Sequence, residues 1–162
     1  MLYLMGAGIL PIAYYKDELY LLFSREYNKH KGHVDWRDFG GTPENNETDI
    51  QTAVREGWEE SAGFLGNKKN IHNLIKNNLV TKVNNNKYTV YIVLIEYDKT
   101  LPKKFREHFL KMYKKDKTKI AKNGFYEKDM LKWIKVKDIK KNMWMFTSWY
   151  KILVNKIYTK LK

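Results

Sequence analysis

Six carboxylates and one arginine lie between Gly41 and Phe64, in a chain of 162 residues whose formal net charge is +13. Three of the carboxylates, Glu56, Glu59 and Glu60, fall within five consecutive positions. On a helix, residues three and four apart are neighbours, so Glu56 would stand beside both Glu59 and Glu60. Crowded carboxylates raise one another's pKa unless positive charge lies among them. Oxygen-only donors suit a hard divalent cation, Mg2+ or Mn2+, whereas zinc would call for histidine or cysteine. The competing account of such a run is a solvated acidic helix face.

The wider spacing favours chemistry. Reading outward gives Gly41, five residues, Glu47, seven residues, Arg55-Glu56, two residues, then Glu59-Glu60. This pattern resembles the Nudix box, G-x5-E-x7-R-E-U-x-E-E-x-G-U with U aliphatic, at all six glycine or charged positions from Gly41 to Glu60. Three positions depart from it, Gly57, Ala62 and Gly63. Gly57 stands where the family has an aliphatic residue, and glycine inside a helix costs about 1 kcal/mol relative to alanine. Ala62 takes the place of the last glycine, with Gly63 one residue late.

The resemblance implies an α/β fold, a three-layer α/β/α Nudix sandwich with a mixed central sheet, and a diphosphate hydrolase. It implies that Glu56, Glu59 and Glu60 are catalytic metal ligands, with the Gly41 carbonyl as a further ligand. Glu47 and Arg55 would form a structural ion pair that steadies the loop and helix. Attack of a metal-activated water on phosphorus would be the reaction. Members of the family often recruit another glutamate from outside the box. Glu127, in NGFYEKDMLKW, is the candidate here, as base or ligand, with Glu96 as the runner-up. An ordinary loop acid beside Lys128 is the competing reading of Glu127.

The elements that must position these residues follow from periodicity. Apolar runs at 3–15 and 18–24, separated by Lys16-Asp17, read as a hairpin or as adjacent strands, and Trp36 to Phe39 as a short one. Thr48 is an N-cap with Gln51 three residues on, and Ile50, Ala53, Val54 and Gly57 form the expected buried stripe. NKKNIHNLIKNN reads as a short helix. LVTKVNNNKYTVYIVLIEY reads as a hairpin turning at Asn84–Asn86, its second arm apolar on both faces and therefore central. LPKKFREHFLKMYKK is a basic amphipathic helix with Phe105, Phe109 and Met112 on one face. LKWIKV reads as a strand, and residues 146–161 as a closing helix with Trp149, Leu153 and Ile157 at spacings of four. Without repeats or a Pro/Gly-rich linker, one domain over 1–162 is the simplest organisation.

Composition narrows the partners. No cysteine occurs, which excludes disulfides, thiolate metal sites and a cysteine nucleophile. Lys16 and Asp17 interrupt the apolar N-terminal run, so no membrane segment is expected and a cytoplasmic location is. Residues 1–66 hold 6 basic and 11 acidic residues, a net of −5, while 67–162 hold 25 and 7, a net of +18. The stretch from Lys99 to Lys122 has ten basic residues and two acids, and Lys103, Lys104, Lys114 and Lys115 could clamp a polyanion. A bias of 27 Lys against 4 Arg, with 14 Asn, is the bland alternative, as coding drift on solvated faces.

Arg25 could hold phosphate and Trp36 could stack on a base, although Trp36 also suits a core. His30 and His33 lack a third ligand and read as loop residues, not a zinc pair. The expected substrate is a nucleoside diphosphate derivative, with the 5′ cap of mRNA first. Diphosphoinositol polyphosphates and small nucleotides or nucleotide sugars come next, and a catalytically silent RNA-binding module is the non-enzymatic alternative. The Lys/Asn bias also resembles Nudix proteins of large DNA viruses. A monomer or a homodimer is compatible with the sequence.

Overall fold

The computed structural model describes residues 5–27, 35–120, 122 and 124–162. His30 and His33 lie outside the described residues, as do residues 3 and 4 of the first expected strand. Two strands, β1 (Gly6–Tyr15) and β2 (Glu18–Glu26), form the first hairpin. Its turn residues Lys16 and Asp17 both have positive φ, 48° and 61°, as a type I′ turn requires. The short run at Trp36 divides into β3 (Trp36–Arg37) and β4 (Phe39–Gly41), broken at Asp38.

Helix α1 (Asp49–Glu60) starts with the expected box: Thr48 accepts from the Gln51 backbone N–H while the Gln51 side chain accepts from the Thr48 N–H. Helix α2 (Lys68–Asn77) repeats this device with Asn67 and Asn70. Strands β5 (Leu79–Asn85) and β6 (Tyr88–Leu94) form the second hairpin. Its turn falls at Asn86–Lys87, later than the expected Asn84–Asn86, because Asn84 and Asn85 still pair with Thr89 and Tyr88. Helix α3 (Leu101–Lys115), strand β7 (Lys128–Lys135), a 3-10 stretch at Val136–Met145 and helix α4 (Ser148–Leu161) complete the chain.

Among the described residues, seven strands form one mixed sheet. β1 runs parallel to β6 and antiparallel to β2, and β6 is buried on both faces as expected of a central strand. β1 and β2 pair with each other only from Ile12 to Tyr15 and from Glu18 to Leu21. Toward the other end they diverge, and the gap is filled by β4 on β1 and β3 on β2. This split delivers Gly40 and Gly41 to the start of α1.

Two apolar clusters cover the faces. Ala53, Ile71, Ile75, Phe105 and Leu131 join Ile9 and Phe39 beneath α1, α2 and α3. Leu153, Val154, Ile157 and Phe146 join Leu10, Phe23 and Ile92 beneath α4. The three layers of the expected sandwich are therefore present.

One expectation needs correction. Ile50 is exposed and Val54 half-buried, while Thr52, Ala53, Arg55, Glu56, Gly57 and Glu60 are buried. The helix turns its charged residues inward, because Gly57 packs where a Cβ would press on Ile9 and Ile71. That close approach carries Glu56 and Glu60 down to the sheet's edge.

Candidate active site

The carboxylates of α1 meet the split in the sheet. Glu56, Glu59 and Glu60 line a polar cavity of about 550 Å3, together with Gly41, Arg37, Arg55 and Glu127. A larger and more apolar groove of about 820 Å3 lies between α1 and α2. Its lining includes Glu47 but none of these four glutamates, so the chemistry belongs to the smaller cavity.

Arg55 organises the entrance. Its Nε and NH2 donate to the two oxygens of Glu47 at 2.8 and 3.1 Å, and NH2 also donates to the Thr42 carbonyl at 2.9 Å. Its NH1 donates to Glu56 at 2.9 Å and Glu59 at 3.2 Å. The Arg55 hydrogen bond holds Glu47 down at a pKa of about 2. Glu60 accepts from the Gly40 backbone N–H at 3.2 Å, which ties the end of α1 to β4. A Cβ on Gly41 would strike the Glu56 carboxylate, so glycine there makes the room that Glu56 occupies.

Glu127 approaches from the segment before β7. Phe125 packs edge-on against Trp58 of α1, with ring centroids 4.9 Å apart, and Gly124 lies against the Glu59 carboxylate. These contacts lock the 124–127 segment over the helix and carry Glu127 to the cavity wall. Burial pushes Glu56 up to about 7 and Glu60 well up, and it also raises Glu59 and Glu127.

Four carboxylates in one partly desolvated cavity have the chemistry of a hard-cation site. Among the described residues no three acidic or imidazole groups already stand at ion-holding geometry. Arg55 draws Glu56 and Glu59 to its NH1, and a lysine faces Glu60. The donors still fit Mg2+ or Mn2+: all are carboxylate oxygens, and Gly41 lines the same cavity without a side chain to crowd Glu56.

No family model matches the sequence and no curated protein does. Solved structures do match. An Ap4A hydrolase from C. elegans, in a binary complex, superposes with a TM-score of 0.54 at 14% identity, covering 98% of both chains. The NUDIX domain of Shewanella oneidensis NrtR complexed with ADP ribose gives 0.56 at 14% identity, over 100% of this chain and 90% of that one. A Nudix hydrolase from M. smegmatis, RenU, gives 0.54 at 14% identity, over 94% and 83%. The chain has the Nudix fold.

Within the Nudix fold, the other expected site residues lie away from the cavity. Arg25 is engaged with Asp129 through two hydrogen bonds of 2.9 and 2.6 Å, and Arg106 reaches the same carboxylate at 2.9 Å. Trp36 is buried in the apolar cluster beneath α4, with the Arg25 guanidinium 5.9 Å from its ring. Lys103, Lys104, Lys114 and Lys115 stand exposed on α3 and none lines the cavity. Glu96 follows β6, whose Leu94 pairs with Ile12, whereas Gly41 pairs with Ala7 near the start of β1. Glu96 is therefore at the opposite end of the sheet from the box.

The sequence reading missed three charged residues. Buried Lys128 and half-buried Glu26 and Arg37 form an ion network beside Glu60, with Glu26 accepting from Lys128 at 3.0 Å and from Arg37 at 3.3 Å. Glu26 and Lys128 face each other across β2 and β7, 102 positions apart, which no local motif could announce.

Proposed function

We propose that this chain is a divalent-cation-dependent hydrolase of diphosphate linkages in nucleoside diphosphate derivatives, and that its 162 residues act as one catalytic domain. The observation that carries the proposal is the convergence of Glu56, Glu59, Glu60 and Glu127 on one polar cavity of the Nudix fold. Support comes from neighbours of the same fold, one of them an Ap4A hydrolase and another complexed with ADP ribose.

Glu56, Glu59 and Glu60, with the Gly41 carbonyl, are the groups that would hold Mg2+ or Mn2+. Such a cation neutralises charge on phosphoryl oxygens and lowers the pKa of water when bound. The protein's own residues do the rest. Arg55, fixed by Glu47, holds the loop and two of the carboxylates in register. Glu127, raised by burial and lining the same cavity, is the group to take a proton from the attacking water. Arg37 borders the same cavity, and its permanent positive charge would help offset charge developing on phosphoryl oxygens there.

Within this class, capped RNA is the proposed substrate. The supporting feature is the exposed lysine face of α3, which would hold a phosphate backbone outside the cavity. A small dinucleotide is the second reading, favoured by a cavity whose lining includes none of those lysines. Product analysis with Mg2+ or Mn2+ on cap-labelled RNA, free cap dinucleotide and ADP ribose separates them. Release of the methylated nucleoside diphosphate from RNA alone supports decapping. Turnover of the small substrates alone supports the second reading, and no turnover of any removes the hydrolase.

A further inference from the structure

Lys128 is fully buried, yet it stands at the first position of β7, directly after Glu127. A lysine ammonium removed from water is costly unless its charge is matched. Here the match is double. The Nζ lies 3.0 Å from Glu26 Oε2 and 3.5 Å from Glu60 Oε2. Burial works against the ammonium, but Glu60 and Glu26 outweigh it and hold its pKa above the usual lysine value.

The geometry at Glu60 is one-sided. Both of its polar contacts, the Gly40 N–H at 3.2 Å and Lys128 at 3.5 Å, fall on Oε2. Among the described residues no hydrogen bond reaches Oε1, and Glu60 nevertheless lines the carboxylate cavity. One oxygen is anchored in the protein, and the other has no hydrogen-bond partner among the described residues. Arg37, which borders the same cavity, adds a second fixed charge behind it through Glu26.

We propose that Lys128 is a built-in cation of the carboxylate site: a positioning residue that neutralises Glu60 from behind, restricts it to one free oxygen, and thereby weakens and limits divalent-cation binding. The inference rests on the reading that Glu56, Glu59 and Glu60 take a divalent ion, and it adds a residue that neither the box nor its spacing contains. A fixed positive charge within a few ångströms of a divalent ion opposes that ion, so its removal acts on affinity in a definite direction. A lysine that served only to hold the fold would act the other way, because a loosened site binds less well.

The test is Mn2+ binding followed by electron paramagnetic resonance, without substrate, on the wild type, Lys128→Met and Lys128→Arg, each shown to be folded by circular dichroism. The expected result is binding about tenfold tighter, or one further Mn2+ bound, in Lys128→Met, with Lys128→Arg close to wild type. If Lys128→Met does not fold, Glu26→Gln/Lys128→Met leaves one fewer buried charge on each side and carries the same expectation. Unchanged or weaker binding in the folded variant overturns the proposal while leaving the metal site intact. A wild type that binds no Mn2+ beside a variant that does would keep the role of Lys128 and overturn the metal-dependent reading of the native chain. No binding in either overturns both.

Discussion

The Arg55 guanidinium grips the Glu47 carboxylate with two hydrogen bonds, Nε to one oxygen at 2.8 Å and NH2 to the other at 3.1 Å. This fork–fork contact leaves NH1 free to reach Glu56 and Glu59, so one side chain spans the loop and the carboxylate face of α1. Arg55→Ala strands these carboxylates and should cost about 3 kcal/mol in urea unfolding. Arg55→Lys keeps the charge but cannot form the fork, and should recover less than half of that loss. Full recovery by lysine would reduce the contact to simple charge pairing.

Ala62 occupies the left-handed region, φ 49°, at the position where the resembling pattern has glycine. An alanine there pays about 1–2 kcal/mol of steric cost, against about 0.4–1 kcal/mol that glycine loses through a freer unfolded chain. Ala62→Gly should therefore stabilise the protein by about 0.5–1 kcal/mol, with a higher melting temperature in calorimetry. A lower melting temperature would mean that the turn does not strain alanine.

Much of this fold could be read in advance, and the reasons are local. The Thr48/Gln51 box, the Lys16-Asp17 turn and the spacing from Gly41 to Glu60 each depend on residues a few positions apart. Ile50 was misplaced because helical periodicity records apolar spacing and cannot see that Gly57 lets α1 sink until Arg55 and Glu60 are buried. Arg25 looked available for phosphate because its partner, Asp129, lies 104 positions away. Lys128 was invisible as a site residue for the same reason.

Asp38 sits at the break between β3 and β4, wholly buried, accepting hydrogen bonds from Tyr88 while its own N–H donates to Tyr150 at 3.0 Å. Burial pushes its carboxyl up to about 6, although Arg37, Lys128 and Tyr88 pull the other way. The folded chain then keeps a proton that the unfolded chain gives up from about pH 4. This one group should take about 3 kcal/mol from the stability as pH rises from 4 to 6, in addition to the losses of the same sign from Glu56 and Glu60. Asp38→Asn should remove the Asp38 share of the slope and leave that of the glutamates, whatever it does to the stability itself. Parallel pH profiles for wild type and variant would contradict the assignment.

The α3 lysines make a separable prediction. Replacing Lys103, Lys104, Lys114 and Lys115 with glutamine should weaken cleavage of capped RNA about tenfold or more at moderate salt. Cleavage of free cap dinucleotide should change little, since the cavity lining holds none of the four. Equal losses on both substrates would remove the helix from RNA recognition.

The central claim is water attack on phosphorus within the Glu56, Glu59, Glu60 and Glu127 cavity. Its most direct test is hydrolysis of a nucleoside diphosphate substrate with Mn2+ in 18O-labelled water, run on the wild type and on Glu59→Gln. The account predicts one 18O in a single phosphate-containing product and a loss of turnover of about 10³-fold or more in the variant. Label in a sugar product, or full turnover by Glu59→Gln, would contradict it.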